Sequence, residues 1–270
     1  MPGTLKRMTM RKPSLIHAAA TARRGQALIA RRRRRRAAEG SPPDYDEVIA
    51  KYAPGRSFAD IGCMWSANGR IGFEAEARGA SGVTAFDAMD RTAEFDAEHE
   101  RRGSSIRFVR GDLHSDESMR AVGPHDVVWC TGVMYHTPNP LLALERLVSI
   151  TSELLIVGTK TVPEAAAAPG AAIFFPGLPS AAREPYAQLW GSALRRDFDA
   201  DPIRSYANWW WGFTPSAFIQ VIGLGLDIVE TYECPHGARD DLLVVARRRI
   251  SLERDAELLD DARRRAAAGV

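Results

Sequence analysis

The chain has 270 residues, 45% of them hydrophobic and 26% charged, an ordinary composition for a globular protein with a buried core. No apolar run approaches the roughly 18 to 20 residues that a membrane-spanning helix needs, so the sequence predicts no membrane span. The three cysteines, Cys63, Cys130 and Cys234, are widely spaced and include no CxxC pair. A disulfide scaffold and a cysteine-rich zinc site are therefore disfavoured, no metal is expected, and a cytoplasmic location fits.

Positive charge is concentrated in the first 40 residues, which hold 12 Lys and Arg against the single acid Glu39. The remaining residues hold 24 bases and 33 acids, so basicity is confined to the N-terminus. We interpret residues 1–40 as a basic, flexible extension that includes the run from Arg31 to Arg36. Two other interpretations stay open: an arm that binds RNA or anionic lipid, and an organellar targeting peptide.

From residue 41 onward, short apolar strands alternate with helices. The predicted strands cover residues 57–61, 82–86, 106–109, 126–130, 153–158, 227–233 and 241–245. The predicted helices cover residues 44–52, 68–78, 92–102, 139–150 and 214–224. This alternation favours right-handed crossovers and a parallel sheet, and the short loop between the last two strands indicates an antiparallel hairpin. The sequence thus predicts an α/β, doubly wound, Rossmann-like fold with a mostly parallel seven-stranded sheet and an antiparallel edge hairpin.

The domain boundaries follow from where this alternation begins and lapses. Residues 41–250 are expected to form one domain. Within it, residues 160–213 are rich in Ala, Pro and Gly and are interpreted as an inserted cap. Residues 251–270 are predicted to form a charged C-terminal helix.

Acidic residues stand at the ends of three successive predicted strands. In an open α/β sheet, ligands bind outside the carboxyl ends of the strands. Carboxylates there suit a neutral or cationic ligand rich in hydroxyl and amine donors rather than a phosphate. Asp87, at the end of the second strand, is in the usual place for a carboxylate that accepts hydrogen bonds from ribose hydroxyls.

Four short motifs in chain order carry a family resemblance. They are Asp60-Ile-Gly-Cys63, Phe86-Asp87, Gly111-Asp112-Leu113 and Cys130-Thr-Gly-Val-Met-Tyr-His-Thr-Pro-Asn-Pro140. Their order and position resemble the successive motifs of class I S-adenosylmethionine-dependent methyltransferases. The last motif is similar to a stretch of the tRNA wobble-uridine carboxymethyltransferase group, and related stretches occur in small-molecule methyltransferases. The resemblance covers roughly residues 45–160, together with Asn208 to Pro215.

The resemblance implies S-adenosyl-L-methionine as the cofactor and gives the strand ends their roles. Asp60 and Gly62 would line the loop beneath the methionine moiety, and Asp87 would hold the ribose. Asp112 would accept a hydrogen bond from the adenine amine, with the backbone N–H of Leu113 on the ring.

The resemblance also places Thr131 and Gly132 beside the sulfonium. The sequence departs from the family in the first loop, where Met64 to Ser66 stand in place of the usual glycine. Asn68-Gly69 is expected to supply the flexibility instead.

The acceptor side is predicted from a histidine and from a group of aromatic residues. His136 follows the fourth strand and is the best candidate base, because imidazole titrates near neutral pH. It could instead orient its loop through a backbone hydrogen bond, and Tyr135 could share either role. Three adjacent indoles cannot all face one core, so at least one should face a cavity or a partner. The residues expected to bind the acceptor are Phe174, Tyr186, Trp209, Trp210 and Trp211, with a hydrophobic cap core as the alternative.

The sequence bears on the favoured function and on four alternatives to it. A nicotinamide dehydrogenase lacks support because no G-x-G-x-x-G follows the first strand, and a P-loop NTPase because GxxxxGK[ST] is absent. The favoured hypothesis is a methyltransferase that acts on a small molecule at oxygen or nitrogen. The alternatives are a tRNA-modifying methyl- or carboxymethyltransferase that uses the basic extension, and a non-catalytic nucleoside-binding relative.

Overall fold

The computed structural model describes residues 43–164, 170–190, 208–233 and 241–249, except for the side chains of residues 188–190. The basic extension at 1–40 and the helix predicted at 251–270 lie outside these described residues. So do residues 165–169 and 191–207 of the predicted cap. Within the described ranges, no helix is both long and apolar enough to span a membrane.

A seven-stranded sheet forms the centre of the described fold. Its strands are β1 (Ser57–Ile61), β2 (Gly82–Asp87), β3 (Arg107–Arg110), β4 (His125–Thr131), β5 (Thr151–Lys160), β8 (Leu226–Glu233) and β9 (Asp241–Arg248), and a separate two-stranded sheet pairs β6 (Ala172–Phe174) with β7 (Trp211–Phe213). The strand order is β3-β2-β1-β4-β5-β9-β8. The first five strands in this order are parallel, and β9 is antiparallel to both of its neighbours. The predicted Rossmann-like fold with an antiparallel edge hairpin is confirmed.

Helices cover both faces of the sheet. They are α1 (Tyr45–Tyr52), α2 (Arg70–Ala77), α3 (Ala93–Arg102), α4 (Asp116–Val122), α5 (Pro140–Ser149), α6 (Ser180–Trp190) and α7 (Pro215–Gly223). One core cluster joins the sheet to α1, α2 and α3 through side chains such as Ile49, Phe73 and Phe95. The other joins it to α4, α5 and α7 through side chains such as Leu147 and Phe218. Strands buried on both faces explain why they appear in the sequence as continuous apolar runs.

Local capping explains where the helices begin. Asp44 and Glu47 form a reciprocal capping box at the start of α1, with hydrogen bonds of 3.0 and 3.1 Å. Thr92 caps α3, and Asn139 caps α5 directly before Pro140, which suits the first helical position. These caps hold the helices that flank the strand ends where the candidate site lies.

Two helices and two short strands were absent from the sequence prediction. The short helix α4 follows the third strand without a strong apolar period. Helix α6 contains Pro185, a residue that usually ends a helix. Strands β6 and β7 have only three residues each, too few for a pattern to be seen. The last two features lie within residues 160–213, the predicted cap.

The strand order places a switch point between β1 and β4. The chain leaves β1 toward β2 on one side, whereas β4 and β5 continue on the other. The loops that follow β1 and β4 therefore diverge and leave a crevice at the carboxyl ends of these strands. The candidate site is at this edge.

Candidate cofactor and acceptor site

The carboxyl ends of β1, β2 and β3 meet through backbone hydrogen bonds. The Gly62 N–H donates to the Phe86 carbonyl at 2.8 Å, and the Gly111 N–H donates to the Asp87 carbonyl at 3.0 Å. This brings the loop that carries Asp112 beside Asp87. The predicted acidic strand ends thus belong to one continuous edge.

Asp87 is almost fully buried, with 6% of its surface exposed. Its Oδ2 accepts the Met64 N–H at 2.7 Å, and its Oδ1 accepts the Met89 N–H at 2.8 Å. Burial raises the pKa of Asp87 above its usual value, although these N–H groups oppose the rise. The side chain is therefore held rigidly between the β1 and β2 loops.

Asp60 is buried at the end of β1, with 2% of its surface exposed. Its Oδ2 accepts the Gly72 N–H from α2 at 2.9 Å. Burial raises the pKa of Asp60 from 3.8 to about 7, and the charge of Asp87 adds to the rise, whereas Gly72 and Arg70 oppose it. Two neighbouring buried carboxyl groups disfavour each other's ionisation, and a cation bound beside them would relieve this.

Arg70 was not predicted and begins helix α2 near Asp60. Its Nη1 donates to Asp46 at 2.7 Å, and half of its side chain is exposed. A guanidinium has five N–H donors, and no other Arg70 hydrogen bond to a described residue is formed. Arg70 thus offers donors to an anionic group beside the buried carboxyl groups.

The loop after β1 is built without the expected second glycine. Gly62 has φ +80°, and a Cβ there would lie 2.3 Å from Val133 Cγ2, so only glycine fits against the β4 loop. Ser66 and Asn68 also adopt positive φ values, of 57° and 47°, a conformation that non-glycine residues adopt at some cost. Trp65 is 59% exposed. Asn68 and Gly69, with φ values of 47° and 73°, thus supply left-handed backbone conformations in this loop.

Asp112 lies on the surface at the end of β3, with 53% of its side chain exposed. Its Oδ1 accepts the His114 N–H at 2.9 Å and lies 3.1 Å from His114 Nδ1. Leu113 is buried, with 5% of its surface exposed. His114 Nε2 lies 2.6 Å from Thr137 Oγ1, in the loop after β4. His114 thus bridges the loops that follow β3 and β4.

The hydroxyl of Thr131 is committed to other protein groups. It accepts the Trp129 Nε1–H at 3.0 Å and hydrogen-bonds to the phenol oxygen of Tyr45. Thr131 thus serves mainly to anchor α1 to the end of β4. The next residue, Gly132, has φ +77° and is exposed, so its backbone is accessible at the edge. No local sequence pattern indicates this role of Tyr45, because its partner is remote in the chain.

Tyr135 lies over the end of β4. Its hydroxyl oxygen lies close to Gly132, since a Cβ built on that glycine would be 3.7 Å from it. Burial, followed by the negative charge of Asp241, raises the pKa of Tyr135 above its usual value, so its phenol stays protonated at neutral pH. Asp241 itself pairs with Lys160 across β5 and β9. Tyr135 is therefore a hydrogen-bond donor at this edge.

His136 is held in one tautomer by the backbone. Its Nδ1 lies 2.7 Å from the Asn208 carbonyl oxygen, which can only accept, so Nδ1 carries the proton. Its Nε2 is then an acceptor, and it makes no hydrogen bond to a described residue. Burial lowers the pKa of His136, and the Asn208 carbonyl opposes this. Both predicted roles are thus compatible: the ring anchors the loop and keeps a basic nitrogen.

The three indoles diverge as the sequence predicted. Trp209 is buried and stacks on Tyr135 at 4.4 Å between ring centroids. Trp211 lies against Phe174 at 4.9 Å, and Trp210 lies against it at 6.3 Å. Phe174 is 42% exposed, so these three rings form a partly exposed aromatic patch.

Tyr186 lies behind the patch rather than within it. Its ring packs edge-on against the buried Phe175 at 5.5 Å. Trp209 and Tyr186 therefore support the cap interior, and the patch of Phe174, Trp210 and Trp211 faces outward. No group of His, Cys, Asp and Glu suited to a metal occurs among the described residues.

Comparison with solved structures identifies the fold. A provisionally designated methyltransferase from Bacillus halodurans matches with a TM-score of 0.51 and 14% identity, over 76% of this chain and 98% of that chain. This chain has the fold of the class I S-adenosylmethionine-dependent methyltransferases. The resemblance found in the sequence motifs is confirmed at the level of the fold.

Two further matches have TM-scores below 0.5. Magnesium protoporphyrin IX methyltransferase from Synechocystis gives 0.48 at 16% identity, over 76% of this chain and 82% of that chain. The N-methyltransferase NodS from Bradyrhizobium japonicum gives 0.45 at 16% identity, over 75% and 92%. No family model and no curated protein matches the sequence.

Proposed function

We propose that this chain transfers a methyl group from S-adenosyl-L-methionine to a small-molecule acceptor, at oxygen or nitrogen. The observation that carries the proposal is the pair of buried carboxylates, Asp60 and Asp87, at the switch point of a methyltransferase fold. Their shared negative charge suits a ligand that bears a sulfonium and an ammonium group.

The hydrogen-bonding groups at this edge fit the cofactor. A carboxylate has about four lone-pair sites, and the Met64, Met89 and Ala88 N–H groups use three of them, so Asp87 keeps one for a ribose hydroxyl. Arg70 offers free N–H donors for the methionine carboxylate. Asp112 remains half-exposed, so it can accept from an adenine amine.

The residues after β4 would handle the acceptor. When bound, the cofactor supplies a methyl group on sulfur that an acceptor oxygen or nitrogen takes by in-line displacement. The neutral Nε2 of His136 would take the proton that leaves the acceptor. The protonated phenol of Tyr135 would donate a hydrogen bond that orients the acceptor.

The aromatic patch supports a planar or apolar acceptor. Phe174, Trp210 and Trp211 offer ring faces that stack on a flat molecule without specific polar contacts. Among the described residues, this edge carries carboxylates rather than a basic groove, which disfavours a nucleic-acid acceptor.

Calorimetry with S-adenosylhomocysteine and, separately, NAD tests the cofactor. We expect saturable binding of S-adenosylhomocysteine and none of NAD; binding of NAD alone would contradict the proposal. Methyl-labelled cofactor is then incubated with a panel of planar phenols and amines and with total tRNA. Label on a small molecule supports the proposal, and label on tRNA that is lost when residues 1–40 are deleted contradicts it.

A further inference from the structure

Asp112, His114 and Thr137 form one hydrogen-bonded chain between two loops of the candidate site. His114 Nδ1 lies 3.1 Å from Asp112 Oδ1, and His114 Nε2 lies 2.6 Å from Thr137 Oγ1. Thr137 Oγ1 also accepts the Asn139 N–H at 3.3 Å, ahead of α5. The donors and acceptors match throughout if the imidazole is neutral: Thr137 donates to Nε2, and Nδ1 donates to the carboxylate.

The chain of carboxylate, imidazole and hydroxyl has the composition of a hydrolytic triad, but its exposure excludes that function. Thr137, which would be the nucleophile, is only 2% exposed. The carboxylate end, Asp112, is instead the open one, with 53% of its side chain exposed. A ligand can therefore reach the chain at Asp112 and not at Thr137.

The two ends of the chain belong to different parts of the candidate site. Asp112 ends β3, on the side proposed to receive the adenine. Thr137 directly follows Tyr135 and His136, the residues proposed to handle the acceptor. The backbone of His114 is also held in place. The Arg146 side chain donates to the His114 carbonyl at 3.4 Å and pairs with Asp116 at 2.6 Å.

We propose that His114 is a positioning residue that couples occupation of Asp112 by the cofactor to the placement of the loop 132–138. The inference rests on the proposed function. A hydrogen bond from a bound adenine amine to Asp112 fixes its carboxylate, which fixes the His114 ring and, through Thr137, the loop. Binding of the cofactor then prepares the acceptor side for the second substrate.

A double-mutant cycle on S-adenosylhomocysteine affinity tests this coupling. His114→Ala and Thr137→Val are each expected to weaken binding about fivefold, the low end of typical coupling between sites. The double variant should bind no more weakly than either single variant, because both changes break the same link. His114→Gln, which can donate to Asp112 and accept from Thr137, should restore most of the affinity.

Hydrogen exchange supplies a readout that a merely structural role would not move. In the wild type, S-adenosylhomocysteine should slow exchange of the 132–138 backbone amides about fivefold or more, and His114→Ala should abolish this slowing. His99→Gln, which changes a histidine that is not hydrogen-bonded to Asp112 or Thr137, should leave the slowing of exchange intact.

Additive losses in the cycle, or unchanged slowing in His114→Ala, would overturn the coupling while leaving the proposed function standing. Failure of the wild type to bind S-adenosylhomocysteine would overturn both.

Discussion

The two ends of the sheet use the same residue types for opposite purposes. At the amino end, Asp126 accepts the Ser57 N–H at 2.9 Å and the Ser57 hydroxyl at 2.8 Å, and these bonds hold its pKa below the usual value. At the carboxyl end, burial raises the pKa of Asp60 and of Asp87. At neutral pH, a carboxyl group whose pKa is lowered on folding stabilises the fold, whereas one whose pKa is raised destabilises it. The acidic edge is thus unfavourable by itself, as expected where a ligand completes the arrangement.

The histidines repeat this contrast. Burial lowers the pKa of both His125 and His136. His125, at the amino end, uses both ring nitrogens, on the Gly123 carbonyl and the Thr84 hydroxyl, each at 3.0 Å. His136 uses only Nδ1 among the described residues. Within the described residues, His136 thus keeps an acceptor nitrogen that His125 lacks.

Cofactor affinity should respond most strongly to the aspartate at the carboxyl end of the sheet and not to the one at the amino end. Asp87→Ala should weaken S-adenosylhomocysteine binding about 100-fold, because the charge-assisted hydrogen bond to the ribose is lost together with the Met64 and Met89 contacts that hold the loops. Asp126→Asn should leave the affinity unchanged and lower the free energy of unfolding by about 1 kcal/mol. Calorimetry and urea unfolding check the pair, with circular dichroism to show that Asp87→Ala is folded. Equal affinity of Asp87→Ala and wild type would contradict a ligand-binding role for the carboxyl end of the sheet.

The histidines give the next effect. His136→Gln should lower turnover about 100-fold, the usual contribution of a general base, without weakening cofactor binding. Tyr135→Phe should cost about tenfold, as loss of one orienting hydrogen bond. His125→Gln is the matched control at the other end and should leave turnover unchanged. Steady-state kinetics with the acceptor found by screening measure all three. Unchanged turnover in His136→Gln would remove it as the base.

Arg70 is tested for binding the methionine carboxylate at the carboxyl edge of the sheet. Arg70→Gln should weaken S-adenosylhomocysteine about tenfold by removing a charge-assisted bond to the methionine carboxylate. The affinity for 5′-methylthioadenosine, which lacks that carboxylate, should stay the same. Arg56→Gln, at a surface pair with Glu153 remote from the site, serves as control. Equal losses for both ligands would show that Arg70 does not read the methionine moiety.

The raised pKa of Asp60 predicts a pH dependence of stability. The folded pKa of Asp60, about 7, exceeds the ordinary 3.8. Its contribution to stability is therefore complete below about pH 4 and is lost as pH rises through 7. Relative to wild type, the free energy of unfolding of Asp60→Asn should rise by about 2 kcal/mol between pH 5 and pH 8.

Asp126→Asn is again the control for this pH series. The lowered pKa of Asp126 means that its contribution is lost only as pH falls through that value, well below pH 5. Its difference from wild type should therefore stay flat between pH 5 and pH 8 in urea unfolding. A flat difference for Asp60→Asn as well would contradict the buried, raised carboxyl.

The sequence predicted the parts of the site that depend on strand ends. Ser57–Ile61 is found with the predicted bounds, because an apolar run that ends in a glycine defines such a strand clearly. Since parallel strands end at the same edge, Asp60 and Asp87 had to be neighbours. The Asn139-Pro140 start of α5 was likewise visible as a cap followed by proline.

The remaining parts depend on contacts between distant segments. Tyr45 reaches Thr131, and His136 reaches the Asn208 carbonyl, 72 residues away. The bridge from His114 to Thr137 spans 23 residues, and no local pattern indicates it. Such contacts are set by how the loops pack over the sheet, which residue spacing alone does not determine.

The most direct test of the account is a crystal structure with S-adenosylhomocysteine. We expect a ribose hydroxyl within hydrogen-bond distance of the Asp87 carboxylate, and the sulfur beside Gly132. A ligand bound elsewhere, or one with its ribose turned away from Asp87, would contradict it.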